Sequence, residues 1–350
     1  RDVAPSRGLG DVYKRQFMRC FMKYKQITAV LVSACLLLAG CAGFEKKQNP
    51  SYTDTLFDTV IKVQILGSAD EDVLKGVEKL CKDYDKNFSM TNEEGELYKI
   101  NHAQGAPVEV SDDIVTLIQK GIYYSEFSRG AFDITIGSVS SLWDFKEAKA
   151  VPSSDAIQEA LTHVNYKNIH IQNNTVQLTD PYTQIDLGAI AKGYIADRIK
   201  NYLEEQGVKH ATINLGGNIQ TIGTKPDGSD YNIGIQKPFD ETGEPITSVK
   251  IKDKSIVTTG IYQRYFEQDG TLYHHVLDPR TGMPCDTDLY SVSIITDSSL
   301  TADAMSTVCC LMGYQESMNV ISQLDNVDAV FVTDDGNIKY SSNFQKKQPK

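Results

Sequence analysis

The stretch Gln184–Asp197, QIDLGAIAKGYIAD, joins a predicted strand to a predicted helix through a glycine, and the remaining elements must fit around this junction. The predicted strand covers Val176–Asp186 and ends in an acid with apolar neighbours. The predicted helix continues to about Gln206 and ends before Gly207, because its apolar residues recur at helical spacing and a glycine commonly follows a helix. The residues on one helical face are Ile195, Ile199, Tyr202 and Leu203.

The residues at this junction have two interpretations. Backbone N–H groups at a helix N-terminus attract phosphate, and Lys192 in the first turns adds positive charge, so the junction is a candidate anion site. Alternatively, Gly188 and Gly193 only permit close packing, and Lys192 is solvated. The stretch alone leaves both interpretations open.

The overall charge excludes one large class of partner. The chain has 350 residues, with 35 Lys and Arg against 46 Asp and Glu, which gives a net charge of −11. Neutralising a nucleic-acid backbone requires a basic face. We therefore predict no nucleic-acid partner, although a local basic cluster can still bind a small phosphate ligand.

The order of predicted elements indicates an α+β protein, because helices alternate with runs of strands and strands outnumber helices. We expect one large mixed domain over residues 55–345. Predicted helices are Glu71–Asn87, Asp112–Ser128 and Leu300–Met312. Predicted strands include Thr59–Leu66, His210–Leu215, Tyr231–Gln236 and Ser291–Thr296, and Ser248–Thr259 is either one interrupted strand or two short ones.

The N-terminal segment has the pattern of a targeting sequence. We interpret residues 1–21 as extraneous sequence upstream of a start at Met22, and residues 22–40 as a signal peptide with a basic start and a short apolar run. This run ends in Leu38-Ala39-Gly40-Cys41, which resembles a bacterial lipobox, so Cys41 is the predicted lipidation site. Residues 41–54 are polar and are predicted to be a tether.

The seven cysteines show no metal-binding spacing and no CxxC pair. Cys309 and Cys310 are adjacent on a predicted helix and point apart, so we interpret them as core residues. A disulfide between Cys81 and Cys285 remains open.

The segment Ala131–Phe145, AFDITIGSVSSLWDF, has no helical period and is predicted to be a loop or a distorted strand. Its aromatic residues are Phe132, Trp143 and Phe145. They have the character to flank a planar ligand or to fill a core, and the pattern does not decide between the two.

Two further segments carry candidate site residues. In YHHVLDPRTG, the adjacent His274 and His275 point to opposite faces of a strand, so at most one of them faces a site as a general base. Alternatively, this histidine only pairs with a residue on the neighbouring strand. In TADAMST, Asp303 and Thr307 are four positions apart on a helix (i and i+4) and share one face. A carboxylate and a hydroxyl at this spacing suit a hard cation such as Mg²⁺, or else form a capped helix start with Thr307 bonded back to the chain.

Several ordered segments resemble the ApbE family of FAD:protein FMN transferases, which are flavin-transferring bacterial lipoproteins. The segments are AFDITIGSVSSLWDF, IDLGAIAKGYIAD, SIVTTGIYQRYFE, HHVLDPRTGMP and TADAMSTVCCLMG. The resemblance covers about the whole mature chain and implies a T-fold-like α+β domain on the extracytoplasmic face of the membrane, anchored by lipid at Cys41.

The resemblance also implies residue roles. FAD would contact the AFD segment, and the implied contacts are Ala131, Phe132, Asp133, Asp186, Lys192 and Leu277. A Mg²⁺ ion, or Ca²⁺ or Mn²⁺, would bind the carbonyl of Ala189 with Asp303 and Thr307. His275 would activate a threonine hydroxyl of an acceptor protein, so that FMN is transferred from FAD and AMP is released.

Two positions depart from the family pattern. Leu56-Phe57-Asp58-Thr59 stands where a Met-Gly-Thr usually contacts the flavin, and Thr258-Thr259-Gly260 replaces Thr-Ser-Gly. The alternatives to flavin transfer are a pyrophosphatase that releases FMN and AMP from FAD, and a non-catalytic flavin-binding lipoprotein.

Overall fold

The computed structural model describes residues 49–344, except Ser68, Ala148, Glu241 and Asn343. The predicted signal peptide and Cys41 lie outside these residues. Among the described residues, none of the helices combines the length and apolar character needed to cross a bilayer.

The first half of the described chain alternates short strands with helices. The strands are β1 (Ser51–Leu56), β2 (Thr59–Ile65), β3 (Val108–Glu109), β4 (Ile169–Gln172) and β5 (Thr175–Leu178). The helices are α1 (Glu71–Asn87), α2 (Glu96–Asn101), α3 (Asp112–Phe127), α4 (Gly137–Ser140), α5 (Ser154–Leu161) and α6 (Ala191–Glu205).

The second half is mostly strands. These are β6 (Ala211–Leu215), β7 (Asn218–Ile222), β8 (Tyr231–Gln236), β9 (Pro245–Ile251), β10 (Ser255–Gly260), β11 (Tyr265–Gln268), β12 (Thr271–His274), β13 (Leu289–Thr296), β14 (Asp328–Thr333) and β15 (Ile338–Tyr340). The helices α7 (Ser299–Met312) and α8 (Tyr314–Ile321) lie between β13 and β14.

An antiparallel sheet of eight strands organises the molecule, in the order β1-β2-β6-β7-β10-β13-β14-β15. Strand β2 shows why its sequence forms a half-buried strand, since Ile61, Val63 and Ile65 are buried while Val60 and Lys62 are exposed. The helices and sheets form one mixed unit, which confirms the predicted α+β class.

The centre of the sheet is covered on both faces. Helices α6 and α7 pack against each other and against β7, β10 and β13. On the opposite face, Ile295 of β13 packs with Tyr231 and Val249 of the β8–β9 ribbon. This sandwich explains why β13 is buried at almost every position instead of alternating.

Several predicted boundaries were wrong. The strand expected over Val176–Asp186 ends at Leu178. The chain then turns, and Gln184 forms a single parallel bridge with Ile136. The segment expected to be a loop or distorted strand at Ala131–Phe145 contains the short helix α4. Residues 51–54 belong to β1 and not to the predicted tether, because β1 pairs with β2 across its whole length.

Other differences concern turns that a local pattern does not reveal. The chain between α1 and α3 contains the short helix α2, and α8 follows α7 after only Gly313. The ambiguous stretch Ser248–Thr259 is divided between β9 and β10.

The cysteine prediction is partly corrected. Cys309 and Cys310 are completely buried core residues, as expected. Cys81 and Cys285 are both free thiols, so the pairing left open for them is absent.

Candidate functional site

A cleft of about 1780 Å³ opens beside the N-terminus of α6. Its walls contain every site residue predicted within the described chain except Ala131. These lining residues are Phe132, Asp133, Asp186, Ala189, Lys192, His275, Leu277, Asp303 and Thr307. Segments far apart in sequence therefore meet at one place.

Asp186 is held at the cleft wall by two hydrogen bonds. Its Oδ1 accepts from the backbone N–H of Gly188, and its Oδ2 accepts from the hydroxyl of Ser140, each at 2.8 Å. The amine of Lys192 donates to the carbonyl oxygen of Gly188 at 3.1 Å. The junction thus presents a fixed carboxylate and a nearby cation to the cleft, while the backbone N–H groups of Ile190 and Ala191 already donate to the carbonyl of Leu187.

The two glycines of the junction differ. A Cβ on Gly193 would lie 2.4 Å from the carbonyl oxygen of Ser299, so Gly193 is required for the close approach of α6 and α7. Gly188 is exposed, and a Cβ there would meet only the carboxylate of Asp186, at 3.1 Å. Close packing therefore explains Gly193 but not Gly188.

Asp303 lies under the floor of the cleft. Its Oδ2 accepts a 2.8 Å hydrogen bond from the backbone N–H of Gly193. Burial raises the pKa of this carboxyl, and the charge of Lys192 acts against that rise. A buried carboxylate beside a lysine is chemically suited to a cation, because burial of an uncompensated negative charge is costly.

Thr307 lies one turn further along α7. Its hydroxyl is 3.2 Å from that of Thr259 on β10, and the same Thr259 hydroxyl is 2.7 Å from that of Ser306. Ser306, rather than Thr307, bonds back to the helix, at the carbonyl of Asp303. The oxygen of Thr307 therefore stays at the cleft.

The oxygens of Asp303 and Thr307 are of the type that a hard divalent ion binds, and they would supply part of its ligands. Within the described part of the chain, no group of three or more His, Cys, Asp or Glu side chains is arranged to hold a metal. One carboxylate, one hydroxyl and a backbone carbonyl would leave the remaining positions for ligand or water oxygens, which Mg²⁺ commonly accepts.

His275 follows β12 and faces the cleft, whereas His274 points into the core and is 5% exposed. The carbonyl oxygen of Arg264 accepts from the backbone N–H of His275 at 3.1 Å and lies 3.3 Å from its ring Nδ1. This contact favours a proton on Nδ1 and leaves Nε2 as the acceptor. Burial, with Arg264 and other positive groups, lowers the pKa of His275 to about 4, so the ring is neutral at pH 7.

The loop after His275 is held by two contacts that the sequence did not indicate. Asp278 forms a bidentate ion pair with Arg280, in which Nε donates to Oδ1 at 2.9 Å and Nη2 donates to Oδ2 at 2.7 Å. The indole N–H of Trp143 donates to the carbonyl oxygen of Gly282 at 3.0 Å. The wall containing Leu277 is thereby fixed to the segment that contains Phe132.

One part of that segment bonds to the rest of the chain, and another part lines the cleft. Both carboxylate oxygens of Asp133 accept bonds from the chain, at Thr135 and at the backbone N–H of Tyr166. The rings of Trp143 and Phe145 stack at 5.5 Å and line the cleft. The two interpretations of these aromatics are thus compatible, since they belong to a small core that forms one cleft wall.

Comparison with known proteins identifies the family. The model of the ApbE family matches residues 57–331. The chain belongs to the ApbE family. The FAD:protein FMN transferase of Klebsiella pneumoniae (strain 342) is 38% identical over 296 residues, which cover 83% of this chain and 92% of that protein. The protein of the same name from Treponema pallidum (strain Nichols) is 33% identical over 334 residues, which cover 89% and 92%.

The structural comparison agrees. The crystal structure of the ApbE protein from Thermotoga maritima matches with a TM-score of 0.79 and 30% identity, covering 87% of this chain and 100% of that chain. Membership in the ApbE family makes this chain an enzyme of the transferase class.

The segment at Leu56–Thr59, where this sequence differs from the ApbE pattern, borders the cleft. Phe57, Asp58 and Thr59 line it, and Asp58 pairs with Lys146 at 2.7 Å. Phe57 and Asp58 both have positive φ, 54° and 60°, because the chain reverses there between β1 and β2. The substituted residues therefore remain in position to contact a ligand.

Asn218 is a cleft residue that sequence reasoning missed. It is 1% exposed, and its side-chain oxygen accepts from the hydroxyl of Ser299 at 2.7 Å. The only signal in the sequence was its place after Gly216-Gly217 at a predicted strand end.

Proposed function

We propose that this chain transfers FMN from FAD to a threonine hydroxyl of a partner protein and releases AMP. The observation that carries the proposal is the position of His275, whose neutral ring faces the cleft that also contains Lys192 and Asp303. The names of the relatives, FAD:protein FMN transferase, support the same reaction.

His275 has the properties of the general base. Its Nε2 would accept the proton of the threonine hydroxyl while the threonine oxygen bonds to the FMN phosphorus. The bond between that phosphorus and the bridging oxygen breaks, and AMP leaves with the electron pair. The product is FMN attached to threonine through a phosphoester.

The rest of the cleft would bind FAD. Lys192 supplies positive charge for the pyrophosphate, and Asp186 supplies a fixed acceptor held by Ser140 and Gly188. The AFD segment, Ala131 with Phe132 and Asp133, and the wall at Leu277 would complete the contacts. Asp133 would act mainly by holding this segment in place, because its oxygens already accept bonds from the chain.

Asp303, Thr307 and the carbonyl of Ala189 would hold Mg²⁺, and Ca²⁺ or Mn²⁺ have the same preference for oxygen ligands. A bound divalent ion neutralises charge that develops on the pyrophosphate during transfer. The hydrogen bond from the backbone N–H of Gly193 would limit the movement of the Asp303 carboxylate in this role.

The location of the enzyme is part of the proposal. The predicted signal peptide and the predicted lipobox support a lipid anchor at Cys41 on the extracytoplasmic face of the cell membrane. The acceptor would be an extracytoplasmic redox subunit or flavoprotein with a threonine flavinylation motif. The net charge of −11 argues against a nucleic-acid partner.

The decisive experiment incubates the full chain in detergent with FAD, Mg²⁺ and an acceptor domain, and follows AMP release and acceptor mass. A mass gain of one FMN on the acceptor supports transfer. AMP and free FMN without labelling would instead indicate the pyrophosphatase, and tight FAD binding with neither product would indicate a carrier.

The variant His275→Ala tests the assignment of the base. We expect it to lose acceptor labelling by at least about 100-fold while it still binds FAD, since general bases contribute about this much or more. His170→Ala, at an exposed position on β4, is the matched control and should retain full activity. Unchanged labelling by His275→Ala would contradict the assignment.

A further inference from the structure

Asp197 is an acidic residue of α6 whose carboxylate holds the start of α7. Its Oδ1 accepts from the backbone N–H of Ser299 at 2.7 Å. Its Oδ2 accepts from the backbone N–H of Leu300 at 3.0 Å and from the hydroxyl of Ser298 at 2.8 Å. The first N–H groups of a helix have no acceptor inside the helix, and the helix dipole favours a carboxylate beside them. One side chain of α6 therefore satisfies two free donors of α7.

The two helices touch at intervals of one helical turn. Asp197 meets the first turn of α7, and Gly193, one turn earlier on α6, donates to Asp303, one turn later on α7. The helices therefore run in opposite directions where they touch. The same spacing continued leads to Ala189, just before α6, and to Thr307 on α7, and both line the cleft. The contact of Asp197 thus belongs to the same row as the proposed metal ligands.

We propose that Asp197 is a positioning residue of the proposed metal site. By holding the start of α7, it sets the register in which Asp303 meets Gly193 and in which Asp303 and Thr307 reach the cleft. This role rests on the proposed function, because the proposed function makes these two side chains ligands of the divalent ion. Asp197 itself borders a different groove from the cleft, so it acts through α7 and not by contact with the ion or the substrate.

The start of α7 is also attached to the central sheet. Ser299 is completely buried, its hydroxyl donates to the side-chain oxygen of Asn218 on β7 at 2.7 Å, and the same hydroxyl lies 3.0 Å from that of Ser255 on β10. The contact with Asp197 connects this point to α6, which carries Lys192. We therefore expect removal of the Asp197 carboxylate to disturb the contact between α6 and α7 while the chain still folds.

The amide proton of Gly193 gives a direct readout of the register between the helices. It belongs to the first turn of α6, where acceptors inside the helix are missing, and it donates to Asp303 instead. An amide proton held by such a contact exchanges with solvent when the contact opens. Its exchange rate therefore reports the contact between α6 and α7 in the absence of flavin, metal and acceptor.

The first test measures hydrogen exchange of the full chain in detergent, without FAD and Mg²⁺, by mass spectrometry that resolves single amides. In Asp197→Ala, we expect exchange at Gly193 to become at least about fivefold faster relative to the amides of β13, because a lost cap weakens a helix end by about this factor. Asp70→Ala, which removes the capping carboxylate of α1, is the matched control and should leave Gly193 protected. Unchanged exchange at Gly193 in Asp197→Ala, or an equal increase in Asp70→Ala, would overturn the proposal.

The second test measures the affinity of the flavin-free chain for Mg²⁺ by titration calorimetry, well below the unfolding temperature. Asp197→Ala should bind Mg²⁺ at least about 10-fold more weakly than the unaltered protein, because residues that support metal ligands commonly contribute this much. A purely structural role would lower the Tm and leave the affinity of the folded chain unchanged. Equal affinity of the two proteins would therefore overturn the proposal.

Ser298→Ala separates position from charge, because it removes one hydrogen bond to Asp197 and keeps every charge. Positioning predicts a smaller loss of Mg²⁺ affinity than in Asp197→Ala, together with faster exchange at Gly193. Unchanged affinity and exchange in this variant would mean that Asp197 acts through its charge alone, which would overturn the proposal. If the unaltered chain bound no Mg²⁺, the proposed metal site itself would be refuted; if it bound Mg²⁺ no better than Asp197→Ala does, only the role of Asp197 would be.

Discussion

The backbone N–H of Gly193 donates a 2.8 Å hydrogen bond to the carboxylate of Asp303, across the contact between α6 and α7. A Cβ on Gly193 would lie 2.7 Å from the Cβ of Asp303 and 2.4 Å from the carbonyl oxygen of Ser299. The hydrogen bond therefore depends on the absence of a side chain at Gly193. Through it, the helix that contains Lys192 fixes the orientation of the proposed metal ligand.

Gly193→Ala should separate these helices. The added methyl group meets backbone atoms that cannot rotate away, so we expect a loss of about 1–3 kcal/mol in the free energy of unfolding. Denaturant unfolding measures this loss. Asn201→Ala, at an exposed position of the same helix, is the control and should change stability little. Equal stability of both variants would mean that α6 and α7 adjust freely.

Asp303→Asn should uncouple stability from activity. Burial raises the pKa of Asp303, so its charged form opposes folding, and its contribution to stability falls as the pH rises through the raised pKa. At pH 7 without metal, we expect an unchanged or higher Tm. With Mg²⁺, the thermal shift of the unaltered protein should disappear and transfer should fall more than about 100-fold.

The control for this variant is Asp227→Asn, which changes an exposed carboxylate in the turn before β8. It should preserve the Mg²⁺-dependent thermal shift. A thermal shift that persists in Asp303→Asn would show that the ion binds elsewhere.

The pH dependence of transfer should reflect the environment of His275. Its pKa is lowered from 6.5 to about 4, chiefly by burial, so the ring loses its proton at lower pH than an ordinary histidine. A base acts when unprotonated, and kcat/KM reports the free enzyme. We expect the acid limb of kcat/KM near pH 4, with transfer retained at pH 5.5. An acid limb near pH 6.5 would contradict this environment.

Trp143 offers a direct report on flavin binding, because it is the only tryptophan of the chain and lines the cleft. We expect FAD to quench its fluorescence. Trp143→Phe should remove the signal and, by losing the bond to Gly282, reduce the free energy of unfolding by about 0.5–1.5 kcal/mol. Tyr123→Phe, at an exposed position, should leave quenching intact. Unquenched fluorescence at saturating FAD would place the flavin away from this wall.

Local periodicity was sufficient where one face of an element is buried. Glu71–Asn87 was predicted to be a helix with the bounds that the structure has, because Val73 and Val77 recur on its buried side. The four-residue spacing of Asp303 and Thr307 likewise placed both on one face of α7, and both border the cleft.

Periodicity failed where a neighbour decides the conformation. The apolar residues near Ile185 were interpreted as a continuing strand, but Asn101 on α2 bonds both the N–H and the carbonyl of Ile185, and this contact replaces a strand partner. The sequence of Gln184–Leu187 does not predict this contact, because Asn101 is far away in the chain.

The amino-acid sequence alone was enough to predict the α+β class, the elements that bury one face and the residue types of the candidate site, because these follow from short-range spacing and side-chain chemistry. Only the tertiary structure showed that Asp303 is held by Gly193 and that His275 is held by the carbonyl of Arg264. The first contact depends on the packing of α6 against α7. The second depends on the pairing of β11 with β12, which brings Arg264 next to His275. Their distances and protonation preferences depend on that burial.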